Sequence, residues 1–503
     1  MAAERPNHLA LHAKLLVMGN NAGQAAIVAA VAIHFLYFLT DVVGMTAGLA
    51  GTLMLLARIF DGLNDPLVGV WSDRTRSRLG RRRVFVLFGA VPLALLALPL
   101  WTAPGLAPTL NFIWMFVAFA AFDSFFTLVQ VPSKSWEIEL TFDYHERTRL
   151  AAFSGFGGVV GYLAGAAGFP WVASVSGVPA DGYRYAGLAM GLFSGFFALL
   201  LALFLRERAD RPQTPPKRFS RQAYLSTLKN VPFYRLQASF FLARIAFTLM
   251  AATIPYYCTH WLGDRAILPK AMAILIAGVA VCLPLWRMIA LRFEKAKTFS
   301  TGLAFAALSG CAIFFVPSNQ AWLALAIVGL VGCGVSVQWV MPPALVADTL
   351  DVDELLTQER REGLYVGVAA VLDRMAGALG IVSLGWGLAA FGYGEGHDIS
   401  ASASVLMGVR LFVGPLPAVL LLLSAAITWR HPIDQAAHEA LRSKIDALKS
   451  RSDVLRPLTG SSVSNAPSVS NALNAPNHSN VPNGMFDLTE SSSARPDRPD
   501  QTL

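Results

Sequence analysis

Two aspartates four residues apart are the charged pair with the clearest chemical potential in this chain. Asp61 and Asp65 lie in the segment LLARIFDGLNDPLVG, beside the amide of Asn64. In an α-helix this spacing puts both carboxylates on one face, about 6 Å apart along the axis. Carboxylate and amide oxygens favour a hard cation such as Na⁺ or Li⁺, and two neighbouring negative charges also favour a proton.

The same segment allows a purely structural interpretation. Arg58 lies one turn before Asp61, so it could neutralise one aspartate and form an ion-paired brace between helices. The residues alone leave the cation site and the brace equally open. Pro66 predicts a kink nearby, because proline frees a carbonyl one turn earlier.

A second polar set follows one face of a later apolar segment, FAAFDSFFTLVQVPSKSWEIEL. Its members are spaced four, three and four residues apart: Asp123, Thr127, Gln130 and Lys134. Such a stripe either lines a water-filled path or packs against another polar helix, and we expect a path. Lys134 could alternatively extend to the membrane interface.

Asp373 and Arg374 are adjacent in AAVLDRMAGALG. Adjacent helical positions point about 100° apart, so we expect one of the two to reach a partner on another helix. Three further arginines, Arg244, Arg287 and Arg410, are interpreted as anchors close to helix ends.

The elements that carry these residues are membrane helices. Of the 503 residues, 55% are hydrophobic and 14% charged, whereas soluble domains have about 25% charged residues. Residues 15–39 contain no Asp, Glu, Lys or Arg, and roughly 20 apolar residues suffice to cross a ~30 Å hydrocarbon core. This first run is long and lacks a small-residue cleavage site, so it predicts a first helix and not a signal peptide.

The pattern predicts an all-α membrane protein with twelve transmembrane helices in two pseudo-symmetric six-helix bundles. Residues 1–205 form the first bundle, 206–235 a central cytoplasmic loop, and 236–430 the second bundle. Two similar halves around a central site are common in transporters that work by alternating access. The predicted spans are 15–39, 46–70, 84–103, 110–133, 150–174, 185–205, 236–260, 268–291, 299–316, 321–346, 364–391 and 405–429. Glycines four residues apart in the fifth span predict close helix packing: Gly157, Gly161 and Gly165.

Basic residues set the predicted orientation. The loop 72–83, SDRTRSRLGRRR, holds six arginines and one aspartate, whereas 104–109 and 317–320 are uncharged. By the positive-inside rule both termini are cytoplasmic, in a bacterial-type inner membrane. The net charge of +8 therefore reflects topology and lipid contact, and not nucleic-acid binding. Residues 431–503 predict a cytoplasmic tail, with an amphipathic helix at 433–449 followed by a disordered Ser/Asn/Pro-rich stretch.

Catalytic and nucleotide-binding motifs are missing from the sequence. It contains no Gly-x-Ser-x-Gly elbow, no Walker loop and no His-Glu-x-x-His, and its four cysteines are scattered without metal-like spacing. We therefore expect no enzyme activity, no cofactor and no ATP-driven pump.

Several motifs in the same order resemble the glycoside–pentoside–hexuronide:cation symporters of the major facilitator superfamily, over roughly residues 10–430. The strongest stretch is TDVVGMTAGLAGTLMLLARIFDGLNDPLVGVWSDRTRSRLGRRRVF, residues 40–85. DYHERTRL (143–150) and ADTLDVDELLTQERREGLY (347–365) are similar to the loops after helices four and ten. The pattern residues in the first stretch are Asp41, Arg58, Asp61, Asn64, Asp65, Pro66, Gly69, Asp73, Arg78 and Gly80.

The resemblance implies a cation site on helices two and four. Asp61, Asn64, Asp65 and Thr127 match the ligand positions, and Na⁺ is possible at Asp61 and Asp65. Arg374 stands where the family has a functionally sensitive lysine. Asp123 is an additional carboxylate that could shift the ion preference or favour protons. The resemblance thus favours cation coupling, by Na⁺ or H⁺, over the brace.

The solute side departs from the galactoside-transporting pattern. Ala25, Gln130, Gly155 and Lys134 replace groups that would hydrogen-bond a galactoside. Together with Lys134, Arg374 could attract an anionic solute such as a uronide. We therefore expect symport of a glycoside, uronide or related small solute. A lysolipid or other amphipath symporter and a non-transporting sensor that signals through its tail remain alternatives.

We assign Arg58, Asp123, Gln130, Lys134, Asp373 and Arg374 to coupling or to the solute pathway. The Arg-rich and acidic loops are expected to pair across the two bundles when the cavity opens outward. This cytoplasmic gate comprises Asp73, Arg78, Arg81, Glu146, Arg149, Arg361 and Glu362. The expected partners are a small solute and membrane lipid, and the expected state is a monomer.

Overall fold

The computed structural model describes residues 9–141, 143–207, 230–357, 361–394, 402–432 and 443. Within these residues it contains fifteen α-helices and three π-helical turns. Most of the predicted loop 206–235, and the predicted amphipathic helix and tail apart from residue 443, lie outside the described residues.

The first half of the chain contains seven α-helices. Two of them are extended by π-helical turns, Phe38–Val42 after α1 and Ala164–Gly168 between α5 and α6. The helices are α1 Leu11–Tyr37, α2 Ala47–Arg74, α3 Arg83–Leu100, α4 Pro108–Glu139, α5 Tyr144–Leu163, α6 Phe169–Ser174 and α7 Pro179–Phe204.

The second half contains eight further α-helices among the described residues. A third π-helical turn, Tyr257–Trp261, extends the first of them. The helices are α8 Val231–Tyr256, α9 Ile267–Ala290, α10 Lys295–Ile313, α11 Ala321–Val335, α12 Val337–Thr357, α13 Glu362–Ala390, α14 Ala403–Val413 and α15 Pro415–Trp429.

Ten helical segments of the described chain are long and apolar enough to cross a membrane. Two others, α2 and α10, are not among them. Helix α2 has Arg58, Asp61 and Asp65 along its length, and these charges lower its apolar character. The chain is thus an all-helical, multi-pass protein, and the count of twelve spans stays a prediction.

Several helices extend further than the apolar runs that predicted them. Helix α4 continues to Glu139 and α12 to Thr357, beyond the predicted ends at 133 and 346. The added turns are polar and are held by ion pairs: Arg81–Glu139 at 2.9 Å, Lys295–Asp348 at 2.8 Å and Arg361–Asp353 at 2.5 Å. An apolar run marks the membrane-crossing part of a helix but not the part that continues into water.

The helices of the two halves pack in the same order. In the first half α1 packs against α5, α2 against α4 and α3 against α7. In the second half α8 packs against α13, α9 against α11 and α10 against α15. The halves meet where α2 packs against α13 and α1 against α8, so residues on these four helices can form a site between them.

The predicted close packing of the glycine-bearing helix is confirmed. A Cβ atom added at Gly157, Gly161 or Gly165 would overlap a carbonyl oxygen of α1. Only glycine permits this approach, in which van der Waals contact replaces a hydrophobic driving force inside lipid. Helix α1 is thereby fixed against α5, and its far end is positioned for contacts with the second half.

We expect Gly161→Ala to lower the thermal midpoint of the protein in detergent micelles. The added methyl group meets the backbone of Ala22, and overpacking of this kind costs about 1–3 kcal/mol. The matched control is Gly158→Ala on the same helix, where an added Cβ meets nothing within 4 Å. An unchanged midpoint in Gly161→Ala would mean that α1 and α5 can separate without cost.

Candidate functional site

A cavity of about 270 Å³ lies between the two halves. It is lined by α1, α2 and α4 of the first half and by α8 and α13 of the second. Part of its wall is apolar, with Phe119, Phe122 and Phe126 from α4. Its charged lining residues are Arg58, Asp61, Asp65, Asp123, Arg244, Asp373 and Arg374.

Helices α2 and α4 bring the predicted cation ligands together. The hydroxyl of Thr127 donates to Asp65 Oδ1 at 3.1 Å, and the amide of Asn64 donates to Asp123 Oδ2 at 3.4 Å. Asp65, Asp123 and Thr127 are buried. Two carboxylates, a hydroxyl and an amide thus face one another across the α2–α4 contact.

Each arginine at the cavity faces an aspartate. Arg58 lies 3.8 Å from Asp61 on α2, and Arg244 of α8 lies 3.4 Å from Asp373 of α13. Arg374 of α13 contacts Asp65 of α2, so this ion pair joins the two halves. The predicted partner on another helix is therefore found for both Asp373 and Arg374.

Asp123 is the remaining carboxylate of the cavity. Among the described residues no arginine or lysine lies within ion-pair distance of it, and its identified donor is the neutral amide of Asn64. Four aspartates thus face three arginines, which leaves one negative charge when all are ionised. Buried charge inside a membrane is costly unless it is neutralised, so the cavity has a deficit of one positive charge.

The walls of the cavity differ in exposure. The side chains of Asp373 and Arg374 are 59% and 55% exposed, whereas those of Asp61 and Asp65 are 21% and 9% exposed. The α13 wall therefore faces open space, and its ion pairs are weakened by screening. The α2–α4 wall is the less hydrated part, where a bound cation would interact most strongly.

The four polar residues along one face of α4 have different surroundings in the structure. Asp123 and Gln130 line the cavity, and Thr127 is buried behind Asp65. Lys134 lies outside the cavity lining, where its ammonium contacts Asn21 and lies 3.8 Å from Glu137. The assignment of Lys134 to the solute pathway stays a prediction.

Arg244 is a cavity residue that the sequence alone did not indicate. It was interpreted as an anchor near a helix end, but it lies near the middle of α8 and lines the cavity. An arginine far from both ends of an apolar helix is itself the signal of a functional position. Arg410, interpreted in the same way, donates to the carbonyl of Phe314 and lies 4.1 Å from the ring centroid of Trp261.

The predicted gate residues form ion pairs within their own half. Arg81 pairs with Glu139, Asp73 with Arg82 at 3.0 Å, and Arg149 with Glu146 at 2.9 Å. Glu146 also lies 2.9 Å from Lys14, and Arg361 pairs with Asp353. Arg78 is exposed, and the side chain of Glu362 lies outside the described residues. Pairing across the halves concerns the opposite conformation and stays a prediction.

Among the described residues no group of three or more His, Cys, Asp and Glu side chains is arranged to hold a metal ion. A Na⁺ ion here would therefore need the oxygens of Asn64 and Thr127 in addition to the carboxylates. Carboxylate, carbonyl and hydroxyl oxygens are suitable ligands for such a hard ion.

Known proteins are similar to this chain in both sequence and fold. The profile of the MFS/sugar transport protein family matches residues 19–435. The chain belongs to this family. The resemblance to the glycoside–pentoside–hexuronide:cation symporters is thereby confirmed, and the protein is a secondary transporter and not an enzyme.

The symporter is similar to several bacterial relatives. An uncharacterized symporter of Synechocystis is 28% identical over 82% of this chain and 92% of the relative. The inner membrane symporter YicJ of Escherichia coli is 27% identical over 80% of this chain and 87% of the relative. A glucuronide carrier protein homolog of the same bacterium is 26% identical over 83% and 92%.

Solved transporter structures share the fold of the symporter. A bacterial homolog of the human lysosomal transporter Spinster, inward-facing, aligns with a TM-score of 0.60 at 16% identity, over 86% of this chain and 97% of that chain. A D-xylose-proton symporter aligns with a TM-score of 0.58 at 16% identity, over 84% and 98%. These similarities establish the major facilitator architecture.

We expect Asp65 and Arg374 to be energetically coupled across the halves. In a double-mutant cycle of Asp65→Asn and Arg374→Gln, the combined loss of unfolding free energy should fall short of the sum by at least about 0.5 kcal/mol. Chemical unfolding in mixed micelles measures the four free energies. Asp41→Asn combined with Arg374→Gln is the control, because distant pairs should be additive; additivity of the first pair would refute the contact.

Proposed function

We propose that the symporter couples the movement of a cation, Na⁺ or H⁺, to that of a small organic solute by alternating access between its two halves. The observation that carries this proposal is the unequal charge at the cavity, where three arginines face four aspartates. A monovalent cation removes the deficit. The cavity also lies where the halves meet, so occupancy there can influence how they are arranged.

The proposed cation site comprises Asp61, Asn64, Asp65 and Thr127, with Asp123 as a further carboxylate. The hydrogen bonds Thr127–Asp65 and Asn64–Asp123 support this assignment, because they preorganise oxygens from α2 and α4. Asp123 is the carboxylate that an incoming cation would contact first, because the other three carboxylates of the cavity already face a guanidinium.

Arg374 supplies the proposed link between ion and solute. It contacts Asp65 from the opposite half, so a cation bound at Asp65 competes with Arg374 for the same carboxylate. When the cation binds, the guanidinium is released toward the cavity and becomes available to the solute. Ion binding thus changes both an inter-half contact and the solute site, as coupling requires.

The proposed solute is a glycoside, a uronide or a related small molecule. Arg244 and Arg374 offer forked donors that suit a carboxylate, and Gln130 offers an amide to hydroxyl groups. The similarity to a glucuronide carrier protein homolog supports an anionic sugar. Cation binding at the aspartates would reduce their repulsion of such an anion.

A second candidate solute is a lysolipid or another amphipath. A larger cavity of about 710 Å³ lies in the second half and shares Asp373 with the central cavity. Aromatic and aliphatic side chains dominate its lining, among them Phe240, Phe241 and Trp339. A molecule with a polar head and an apolar chain would fit the two adjoining cavities.

The proposed setting is a bacterial inner membrane. Twelve spans, cytoplasmic termini and a monomeric state complete the proposal, with the Arg-rich loop 72–83 on the cytoplasmic side. We do not propose the sensor alternative, because the charge deficit of the cavity favours ion binding.

We expect a cation to raise the thermal midpoint of the purified symporter. A ligand that binds only the folded state at 100 times its Kd adds about 2.7 kcal/mol of stability. The measurement compares NaCl with choline chloride at fixed ionic strength, from pH 5.5 to 8.5. In Asp123→Asn the response to Na⁺ or to protons should disappear.

Asp348→Asn is the matched control for this experiment. Asp348 pairs with Lys295 and does not line the cavity, so its substitution should leave the cation response intact. Two results would contradict the proposed site: a wild-type protein insensitive to Na⁺ and pH, or an Asp123→Asn variant that responds like the wild type.

We expect solute accumulation in proteoliposomes only when an inward cation gradient is imposed. Glucuronides and lysophosphatidylcholine, tested in parallel, distinguish the two solute classes. The double variant Asp61→Ala and Asp65→Ala should lose accumulation against a gradient. Retained accumulation in that variant would show that coupling does not use these carboxylates.

A further inference from the structure

The larger cavity of the second half, of about 710 Å³, has a mostly apolar wall. The residues that line it belong to α8, α10, α12 and α13. Aromatic rings and prolines form much of this wall: Phe240, Phe241, Phe299, Trp339, Pro342 and Pro343. A cavity of this size and composition is typical of a binding site for a small organic molecule.

Two glutamine side chains interrupt the apolar wall. Gln237 of α8 is 4% exposed, and within the described part of the chain its amide neither donates nor accepts a hydrogen bond. Gln338 of α12 lines the same cavity, and the described residues offer no hydrogen-bond partner to its Nε2. A buried amide without a partner is unfavourable, and most such groups in proteins are paired. The two amides therefore indicate a ligand that carries hydrogen-bonding groups of its own.

Asp373 connects this cavity to the central one, because it lines both. Along α8, Ala243 lines the larger cavity and the next residue, Arg244, lines the central cavity. Along α13, Leu372 and Arg374 flank Asp373 in the same way. One solute can thus occupy both cavities, with a charged part beside the arginines and an apolar part among the rings.

The chemistry of the lining favours an aromatic group over an acyl chain. An aromatic ring packs in stacked or edge-to-face contact with side chains such as Trp339 and Phe240, which adds to the gain from burial. A hydrocarbon chain would leave the amides of Gln237 and Gln338 unpaired, and fixing its many rotatable bonds costs entropy. A ring with a hydroxyl, carbonyl or amide substituent avoids both costs.

We propose that the solute is an aryl glycoside, whose sugar lies in the central cavity and whose aromatic aglycone lies in the larger cavity. This inference rests on the proposed function, and it names the class of glycoside that the two cavities accept together. Gln237 and Gln338 bind the polar substituent of the aglycone, and Trp339 and Phe240 contact its ring.

Calorimetric titration of the full chain in lipid nanodiscs measures this preference. The probes share one sugar and differ in the aglycone: methyl, phenyl and 4-hydroxyphenyl β-D-glucuronide, with the corresponding glucosides in parallel. The wild type should bind the phenyl compound at least about tenfold more tightly than the methyl compound, because a ring is buried. The 4-hydroxyphenyl compound should gain about two- to tenfold more, from hydrogen bonds to the amides.

Ala347→Phe tests the location of the aglycone. Ala347 is exposed on α12 and lines the larger cavity, so the added ring fills the proposed aglycone site. This variant should bind the phenyl and methyl compounds with equal affinity. Ala280→Phe is the matched control and should keep the wild-type preference, because Ala280 is exposed on α9 and does not line this cavity.

The double variant Gln237→Leu and Gln338→Leu tests the hydrogen bonds separately. Leucine is close to glutamine in size but has no side-chain donor or acceptor. The double variant should therefore bind the phenyl and 4-hydroxyphenyl compounds alike and keep the advantage of the ring over the methyl group. Gln130→Leu is the matched control, because Gln130 lines the central cavity and its loss should weaken all three compounds equally.

Several results would overturn the proposal. One is equal binding of the methyl and phenyl compounds by the wild type, and another is a preference for the ring that persists in Ala347→Phe. A third is an absence of glycoside binding, with lysophosphatidylcholine bound by the wild type and not by Ala347→Phe, which would assign the cavity to an acyl chain. The cation response of the thermal midpoint, measured on the same samples, shows separately whether the proposed coupling fails.

Discussion

Neutralisation of carboxylates inside an apolar bundle is the constraint on which the rest of this structure depends. Insertion of an aspartate at the centre of a membrane helix costs about 2.5–3.5 kcal/mol, and the cavity contains four. Three guanidinium groups offset three of these charges. The remaining carboxylate, Asp123, has no arginine facing it, and under the proposed function this unbalanced charge favours a cation more than the shape of the cavity does.

These charges are divided between the two halves, so some ion pairs depend on how the halves are arranged and others do not. Arg58 and Asp61 belong to the same helix, and their pair is indifferent to how the halves are arranged. Arg374 and Asp65 belong to opposite halves, and their pair exists only while α13 lies against α2. Farther along the same two helices, Gly51 and Gly385 bring the two backbones close together. A cation that takes over Asp65 therefore acts directly on this interface.

The sequence predicted the helical membrane class and the family, because apolar runs and ordered motifs are local signals. It also placed Asp61, Asn64, Asp65, Asp123 and Gln130 on the correct helices, since helical spacing fixes which residues share a face. It could not assign their partners. Arg244 was interpreted as an anchor near a helix end, because the ends of its helix lie in polar sequence and an apolar run does not locate them. The contacts of Asp41 with His260 and Tyr393 could not be predicted, because these residues are far apart in the chain and meet only through packing of the halves.

A contact between a carboxylate and a basic group joins the two halves at two places, one at the central cavity and one beyond the ends of α1 and α8. In both, a carboxylate of the first half meets a basic group of the second, Asp65 with Arg374 and Asp41 with His260. Arginine stays charged at any physiological pH, so the central contact can be exchanged only for another cation.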